Sequence, residues 1–213
     1  YGGSPGAEGA APIGIVINEV LSHTDPPITE PDSIELYNTT TNTIDLSGWY
    51  LSDAAGNLLK YQIPAGTQLA PNSYRVFNEA DFNPNPLNQG PNDFSLSGAN
   101  GDDVWLTIAD TNGQVTQFVD DVHFGATPNG ESLGRFPNGS GLLTRMSTTT
   151  LGQTNSEPRV GPMVISEVHH TPAEPSFNAQ ILDASITSQQ LEFVEISNTT
   201  GTFLDLTNWR IRG

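Results

Sequence analysis

An internal repeat constrains the fold of this chain more than any other feature of its sequence. Three blocks recur near the C-terminus of the 213 residues with their apolar positions largely kept: Val16–Val20 as Val164–Val168, Ile34–Thr40 as Val194–Thr200, and Ile44–Leu51 as Leu204–Ile211. The offset is 148 residues for the first block and 160 for the other two, so the second copy has twelve more residues in its first loop. Such repeats are built from one supersecondary unit. We therefore predict two copies of one unit, of which the second is only the first part.

Alternation of apolar and polar side chains predicts that the repeated unit is made of β-strands. Ile34 and Leu36 lie on one face of an extended segment and Glu35 lies on the other. The Asn-Gly dipeptide at 112–113 is typical of a type I′ hairpin turn, and the proline-containing segment 79–101 predicts a long loop. The predicted strands lie near residues 14–21, 33–38, 48–53, 58–63, 73–78, 104–109, 115–122 and 132–136. Strands of this number and length fit an all-β, two-sheet sandwich.

The same alternation predicts which side chains form the core of the first unit. They are Ile15, Ile17, Val20, Ile34, Leu36, Leu46, Trp49, Leu51, Val76, Phe94, Val104, Leu106, Ile108, Phe118, Val119 and Val122.

Charge and composition exclude several functions. The formal net charge is −17 with only seven Lys and Arg residues, which argues against binding to nucleic acid or to an anionic membrane, because both need a cationic surface. The chain has no cysteine and therefore neither disulfides nor thiolate metal sites. No apolar run reaches the ~18 residues that a membrane-spanning helix needs, so no membrane insertion is expected.

Six groups of residues together form a recognisable pattern: Val16–Val20, Ile34–Asn38, Ile44–Asp53, Ile63–Gly66 with Leu69–Tyr74, Leu96–Gly98 with Gly101–Leu106, and Ser132–Gly139. Through them, residues 14–140 resemble the bacterial form of the lamin tail domain family. It implies an immunoglobulin-like β-sandwich that acts as a non-catalytic module of secreted or cell-surface bacterial proteins. The chain has neither heptad repeats nor a C-terminal prenylation cysteine, so the nuclear filament role of lamins is not implied.

Composition predicts the domain boundaries. We expect a tail or linker at 1–13, a complete unit at 14–145, a polar linker at 146–162 and the truncated second unit at 163–213. Three strands cannot close a two-sheet sandwich, so the second unit would leave an apolar face and strand edges open. We expect it to pack on the first unit or to pair with another chain. The alternative is that the chain is a fragment of a longer array.

Two acidic pairs near strand ends, Asp102-Asp103 and Asp120-Asp121, are the candidate metal ligands. Carboxylate oxygens are the ligands that Ca²⁺ prefers, so Ca²⁺ is the possible cofactor. The alternative is that the two pairs form turns and need no cofactor.

Glu19 and Glu35 recur as Glu167 and Glu195 within apolar strands. One interpretation is again a calcium site. The other, which the recurrence in both copies favours, is that these carboxylates accept hydrogen bonds from loop N–H groups and hold the fold together.

Trp105 is the candidate ligand contact. It lies between core residues Val104 and Leu106, so alternation places it on the outer face, where it could contact a polysaccharide beside Tyr37 or Tyr61. The sequence contains no nucleophile elbow, phosphate-binding loop or His-Glu-x-x-His motif, so no catalytic residue is assigned and no enzyme is expected.

We expect a non-enzymatic structural or adhesive module of a secreted or cell-surface protein, with an extracellular or cell-surface location. Its partner would be another protein or a second copy, bound through the sheet edges of 163–213. The alternative is an accessory module, polysaccharide-binding or calcium-dependent, attached to an extracellular enzyme. A third possibility, that the chain is itself a hydrolase, would need two carboxylates in a deep cleft.

Overall fold

The computed structural model describes residues 13–211, so residues 1–12 of the predicted tail lie outside the described part. The chain divides into a first unit that ends at Arg159 and a second that begins at Val160. In both units the regular structure is mainly antiparallel strand, as the alternating sequence predicts. No helix within residues 13–211 is long and apolar enough to cross a lipid bilayer.

The first unit is a sandwich of two antiparallel sheets. Its elements are β1 (Ile15–Leu21), β2 (Ser33–Asn38), β3 (Ile44–Asp45), β4 (Tyr50–Ser52), β5 (Tyr61–Gln62), β6 (Gln68–Leu69), β7 (Tyr74–Asn78), α1 (Glu79–Phe82), β8 (Gly101–Ala109), β9 (Val115–Gly125), β10 (Leu133–Phe136) and β11 (Leu142–Arg145). One sheet has the order β11-β10-β1-β2-β7 and the other β5-β4-β8-β9, with a short β3-β6 pair beside them. The predicted all-β sandwich is confirmed.

The core lies between the two sheets and follows from the strand registers. In one sheet Ile17 pairs with Leu36, and in the other Leu51 pairs with Leu106. All four side chains are fully buried, together with most of the predicted core. Directly opposed residues of an antiparallel pair point to the same face, so these cross-strand pairs form the apolar layer that each sheet turns to the other.

Phe118 is a correction to the predicted core. The register of β8 with β9 shifts between Leu106 and Thr107, which changes the alternation along β9. Phe118 therefore pairs with Thr107 and packs edge-on against Trp105, with 6.3 Å between ring centroids.

Some elements are shorter than the sequence predicts, and some were not predicted. The segment 79–101 is a loop for most of its length, but it begins with the helical turn α1, which the Asn78 side chain caps. Strands β3 and β6 have two residues each and β11 has four. Such segments carry too few alternating positions to show a strand period, so only their partners define them.

The predicted linker at 146–162 also needs correction, because its first part belongs to the first unit. Met146 is buried, and its N–H donates to the carbonyl of Ser132 at 3.0 Å. At the other end, the N–H of Arg159 donates to the carbonyl of Arg145 at 2.7 Å. We call residues 146–159 the strap, because they run back over the first sheet and end where the first unit ends.

The second unit repeats the local structure of the first copy. Its elements are β12 (Met163–His169), α2 (Phe177–Leu182), a 3₁₀ turn at Ser188–Leu191 and β13 (Phe193–Asn198). The pairing of β12 with β13 has the register of β1 with β2, including the irregularity between Ile165 and Glu167 that matches the one between Ile17 and Glu19. Asn198 also makes the loop hydrogen bonds that Asn38 makes in the first copy.

The third block of the repeat takes no strand conformation in the second unit. Residues 204–211 form a turn and irregular backbone, whereas the first copy forms β3 and β4 there. The reason is that β3 pairs with β6, and β4 with β5 and β8. The described part of the second unit contains no equivalent of these partners.

We predict that Asn155→Ala destabilises the first unit by about 1–3 kcal/mol. The buried Asn155 side chain joins the strap to the sheet, since its Nδ2 donates to the carbonyls of Asn18 and Arg135, both at 3.0 Å. Urea denaturation followed by circular dichroism measures the change. Gln153→Ala, at an exposed strap position, is the matched control, and equal stability of both variants would contradict the prediction.

Candidate functional site

The four aspartates predicted as metal ligands do not form one cluster. Asp120 points to the core side of its sheet, where its carboxylate accepts from Arg135 Nη2 at 2.9 and 3.1 Å and from the N–H of Ile17 at 2.7 Å. Asp102 accepts from the N–H of Ser97 at 2.8 Å. Neighbouring residues of a strand point to opposite faces, so each acidic pair is divided between the two sides of the sheet.

Asp103 and Asp121 lie on the outer face, with His123 between them. His123 Nδ1 is 2.6 Å from Asp103 Oδ1, and Nε2 is 2.8 Å from Asp121 Oδ2. The hydrogen bond to Asp103 is the main cause that raises the pKa of His123, and the charge of both carboxylates adds to it. The described residues contain no group of three or more His, Asp or Glu side chains arranged to hold a metal ion. Calcium binding therefore stays a prediction.

Trp105 lies on the same outer face, beside this acidic surface. Its ring meets that of His123 at 5.2 Å between centroids and an angle of 73°, and its buried Nε1 has no hydrogen-bond partner. It does not lie beside Tyr37 or Tyr61: Tyr37 stacks on Tyr74 in the other sheet, and Tyr61 packs against the core. A shallow depression of about 530 Å³ next to this surface is lined by Gly101, Asp102, Asp103, His123, Phe124 and Gly125.

Two buried carboxylates, Glu19 and Glu35, hold the strap to the first sheet. They are cross-strand partners and are fully buried. Glu19 accepts from Ser132 Oγ at 2.5 Å and from both the N–H and the Oγ1 of Thr150 at 2.9 Å, while Glu35 accepts from the N–H of Gly152 at 2.5 Å. This confirms that these carboxylates hold the fold. Burial raises the pKa of Glu35 to about 7, although hydrogen bonds oppose the shift.

The second unit exposes the residues that form the core of the first. Ile165 is 56 % exposed while its equivalent Ile17 is 0 % exposed, and Trp209 is 57 % exposed while Trp49 is 7 % exposed. We call this surface the apolar face; it consists of Ile165, Val168, Val194, Ile196, Leu206, Trp209 and Ile211. A depression of about 470 Å³ lies within it. The open face that the sequence predicts is therefore present in the structure.

The carboxylates of the second copy are also exposed, whereas their equivalents in the first copy are buried. Glu167 and Glu195 are cross-strand partners on the opposite side of the β12–β13 pair from the apolar face. Both are exposed, and Glu195 accepts from Ser166 Oγ at 2.6 Å. In the first copy the equivalent carboxylates are covered by the strap, whereas within residues 160–211 both sides of the β12–β13 pair are exposed.

A family model described as Lamin Tail Domain matches residues 8–126, more than half of the chain, and this range includes β1 to β9. No curated protein and no solved structure matches the chain.

We predict that an NMR titration will place the pKa of His123 above the ordinary value of 6.5. Asp103→Asn should lower it most, because the Asp103 hydrogen bond is the main cause of the shift, and Asp121→Asn should lower it less. Asp110→Asn, at an exposed turn, is the control and should leave it unchanged. A wild-type value at or below 6.5 would show that the two carboxylates do not hold the ring in its protonated form.

We predict that Glu35 makes the first unit less stable as the pH rises. A carboxyl whose pKa is raised from 4.5 to about 7 on folding favours the folded state fully below pH 4.5, and this contribution is lost as the pH rises through 7. The apparent Tm should fall by roughly 5–10 °C between pH 5 and pH 8. Glu35→Gln should flatten this dependence, while Glu30→Gln, at an exposed loop position, should not. Parallel melting curves of the three proteins decide the matter, and identical pH profiles would refute it.

Proposed function

This chain belongs to the lamin tail domain family, and from that premise we propose that it is a non-enzymatic interaction module that binds protein partners. The domain of this family is immunoglobulin-like, which is compatible with such a role. The proposed setting is a secreted or cell-surface protein of a bacterium. A net charge of −17 and the lack of cysteine are compatible with that setting.

The observation that carries the proposal is the apolar face of the second unit. A soluble monomer rarely exposes a contiguous apolar patch of this size, and such patches mark interaction sites. Here the exposed positions are those that the first copy buries. For example, Ile196 and Ile211 are exposed, whereas their equivalents Leu36 and Leu51 are fully buried. The surface therefore needs a polypeptide cover, which further residues of the same protein or another chain can supply.

The first unit supplies the rigid scaffold in this proposal. Its core is closed, and three of its carboxylates are engaged in structural contacts: Glu19 and Glu35 with the strap, and Asp120 with Arg135. Carboxylates engaged in such contacts do not face a substrate. This supports a role in contact rather than catalysis.

The second candidate is an accessory module that binds polysaccharide or depends on calcium. Asp103, Asp121 and His123 favour it, because they form a polar surface next to Trp105, and sugar sites combine polar groups with aromatic rings. The edge-on packing of the Trp105 ring weighs against a flat sugar platform.

We predict that the immobilised full chain retains secreted or surface proteins of its source and that Trp209→Ala reduces their capture at least tenfold. Hydrogen exchange with mass spectrometry should place the contacts at residues 163–169 and 204–211. Leu87→Ala removes a fully exposed side chain of the first unit and should not change capture.

Trp105→Ala distinguishes the two candidates. Binding to a glycan array that Trp105→Ala abolishes and Trp209→Ala leaves intact would replace the proposal with the accessory-module function. The proposal also fails if the wild-type chain captures no protein and does not bind itself.

A further inference from the structure

We propose that Lys60 and Asp53 form a covalent amide cross-link, in which the Nζ of Lys60 is bonded to the Cγ of Asp53. The inference goes beyond the proposed function, because it concerns a modification within the first unit and involves no partner. Lys60 is the only lysine of the chain. Its Nζ lies 2.5 Å from Asp53 Oδ1, and neither side chain has another hydrogen-bond partner among the described residues.

The pair is largely shielded from water. The side chains of Lys60 and Asp53 are 17 % and 18 % exposed, and Nζ lies 5.8 Å from the centroid of the buried Phe94 ring. Moving two charges out of water is costly unless further hydrogen bonds compensate each of them. An amide carries no charge, so condensation of the pair removes this cost and keeps the two residues together.

The arrangement of the reacting atoms favours condensation. Because Oδ1 is bonded to Cγ, Nζ lies within about 4 Å of the carbon that it attacks, close to the roughly 3–3.5 Å of a near-attack arrangement. Two groups held in this way react as if at an effective concentration on the order of 10⁵–10⁸ M. This offsets the unfavourable equilibrium of a free amine and a free acid in water.

The reaction balances without a co-reactant. One proton passes from the Lys60 ammonium to the Asp53 carboxylate along their hydrogen bond, which leaves an amine and a carboxylic acid. The nitrogen lone pair then forms the N–Cγ bond, and a second proton moves from nitrogen to the carboxyl hydroxyl. The bond between Cγ and that oxygen breaks, so one ammonium and one carboxylate become one amide and one water.

Asp102 is the neighbouring group that carries these protons. Strand β8 pairs with β4, so Asp102 near the start of β8 lies at the end of the sheet where Asp53 follows β4. The N–H groups of Ser97 and Asp103 donate to its two oxygens at 2.8 and 2.9 Å and hold the carboxyl in place. Burial raises the pKa of Asp102, and the charge of Asp53 adds to the rise. A raised pKa makes this carboxyl a better proton acceptor.

The cross-link closes the loop between β4 and β5. Strand β5 has only two residues and is the outermost strand of its sheet, so few backbone hydrogen bonds hold it. The chain has no cysteine and therefore no disulfide that could fasten this edge. An amide between Asp53 and Lys60 fastens it covalently.

Mass spectrometry of the intact, denatured full chain tests the cross-link. We expect the wild-type chain to be lighter by one water molecule than the 22.8 kDa that its sequence gives. Denaturation separates an ion pair but leaves an amide intact. Lys60→Arg keeps the positive charge and forms no amide, so this variant should have the full mass of its sequence.

Asp102→Asn removes the proton carrier and should slow formation of the cross-link by at least about 100-fold. Freshly purified Asp102→Asn should therefore have the full mass of its sequence, while Asp102→Glu, which keeps a carboxyl, should recover part of the cross-link. Asp110→Asn, at an exposed turn, is the matched control and should lose one water like the wild type. Equal cross-linking in Asp102→Asn would overturn the role of Asp102 and leave the cross-link standing.

Trypsin digestion of the denatured wild-type chain gives a second measurement that needs no variant. Trypsin should not cleave after Lys60, and tandem mass spectrometry should place the loss of water between residues 53 and 60. A wild-type chain with the full mass of its sequence would overturn the proposal, as would a loss of water at any other position. Both results concern the first unit alone, so capture of a partner through Trp209 tests the proposed function separately.

Discussion

The structure depends on covering both sides of one hairpin. In the first copy, β1 and β2 present Ile17 and Leu36 to the second sheet and the buried carboxylates Glu19 and Glu35 to the strap. An apolar face is stable only when it is removed from water, and a buried carboxylate only when its oxygens accept hydrogen bonds. The hairpin therefore requires two different covers, and the rest of the first unit supplies them.

The second copy shows what the hairpin retains without those covers. Its register, its irregularity after Ile165 and the loop bonds of Asn198 are those of the first copy, so these features come from local sequence. The third block behaves differently, because residues 204–211 contain no strand. Long-range partners, rather than the residues themselves, make Tyr50–Ser52 a strand in the first copy.

Sequence reasoning predicted the sandwich, most of its core and the structural role of Glu19 and Glu35, because period-two alternation is a local signal. The strap could not be predicted in this way. Residues 146–159 are polar, and their hydrogen bonds reach residues more than a hundred positions away, such as Glu19. The division of Asp120 from Asp121 was predictable, since alternation alone places neighbours on opposite faces. The position of Phe118 outside the core was not, because it depends on a register shift.

The strap also determines how long a sequence segment must be transferred for the first unit to fold. The family match ends at residue 126, but the donors to Glu19 and Glu35 include Ser132, Thr150 and Gly152. A gene fragment carrying only the matched segment would encode a sheet with two buried carboxylates and no donors from beyond residue 126. Recombination that moves this unit between proteins must therefore carry it through residue 159, well past the boundary that the shared family pattern marks.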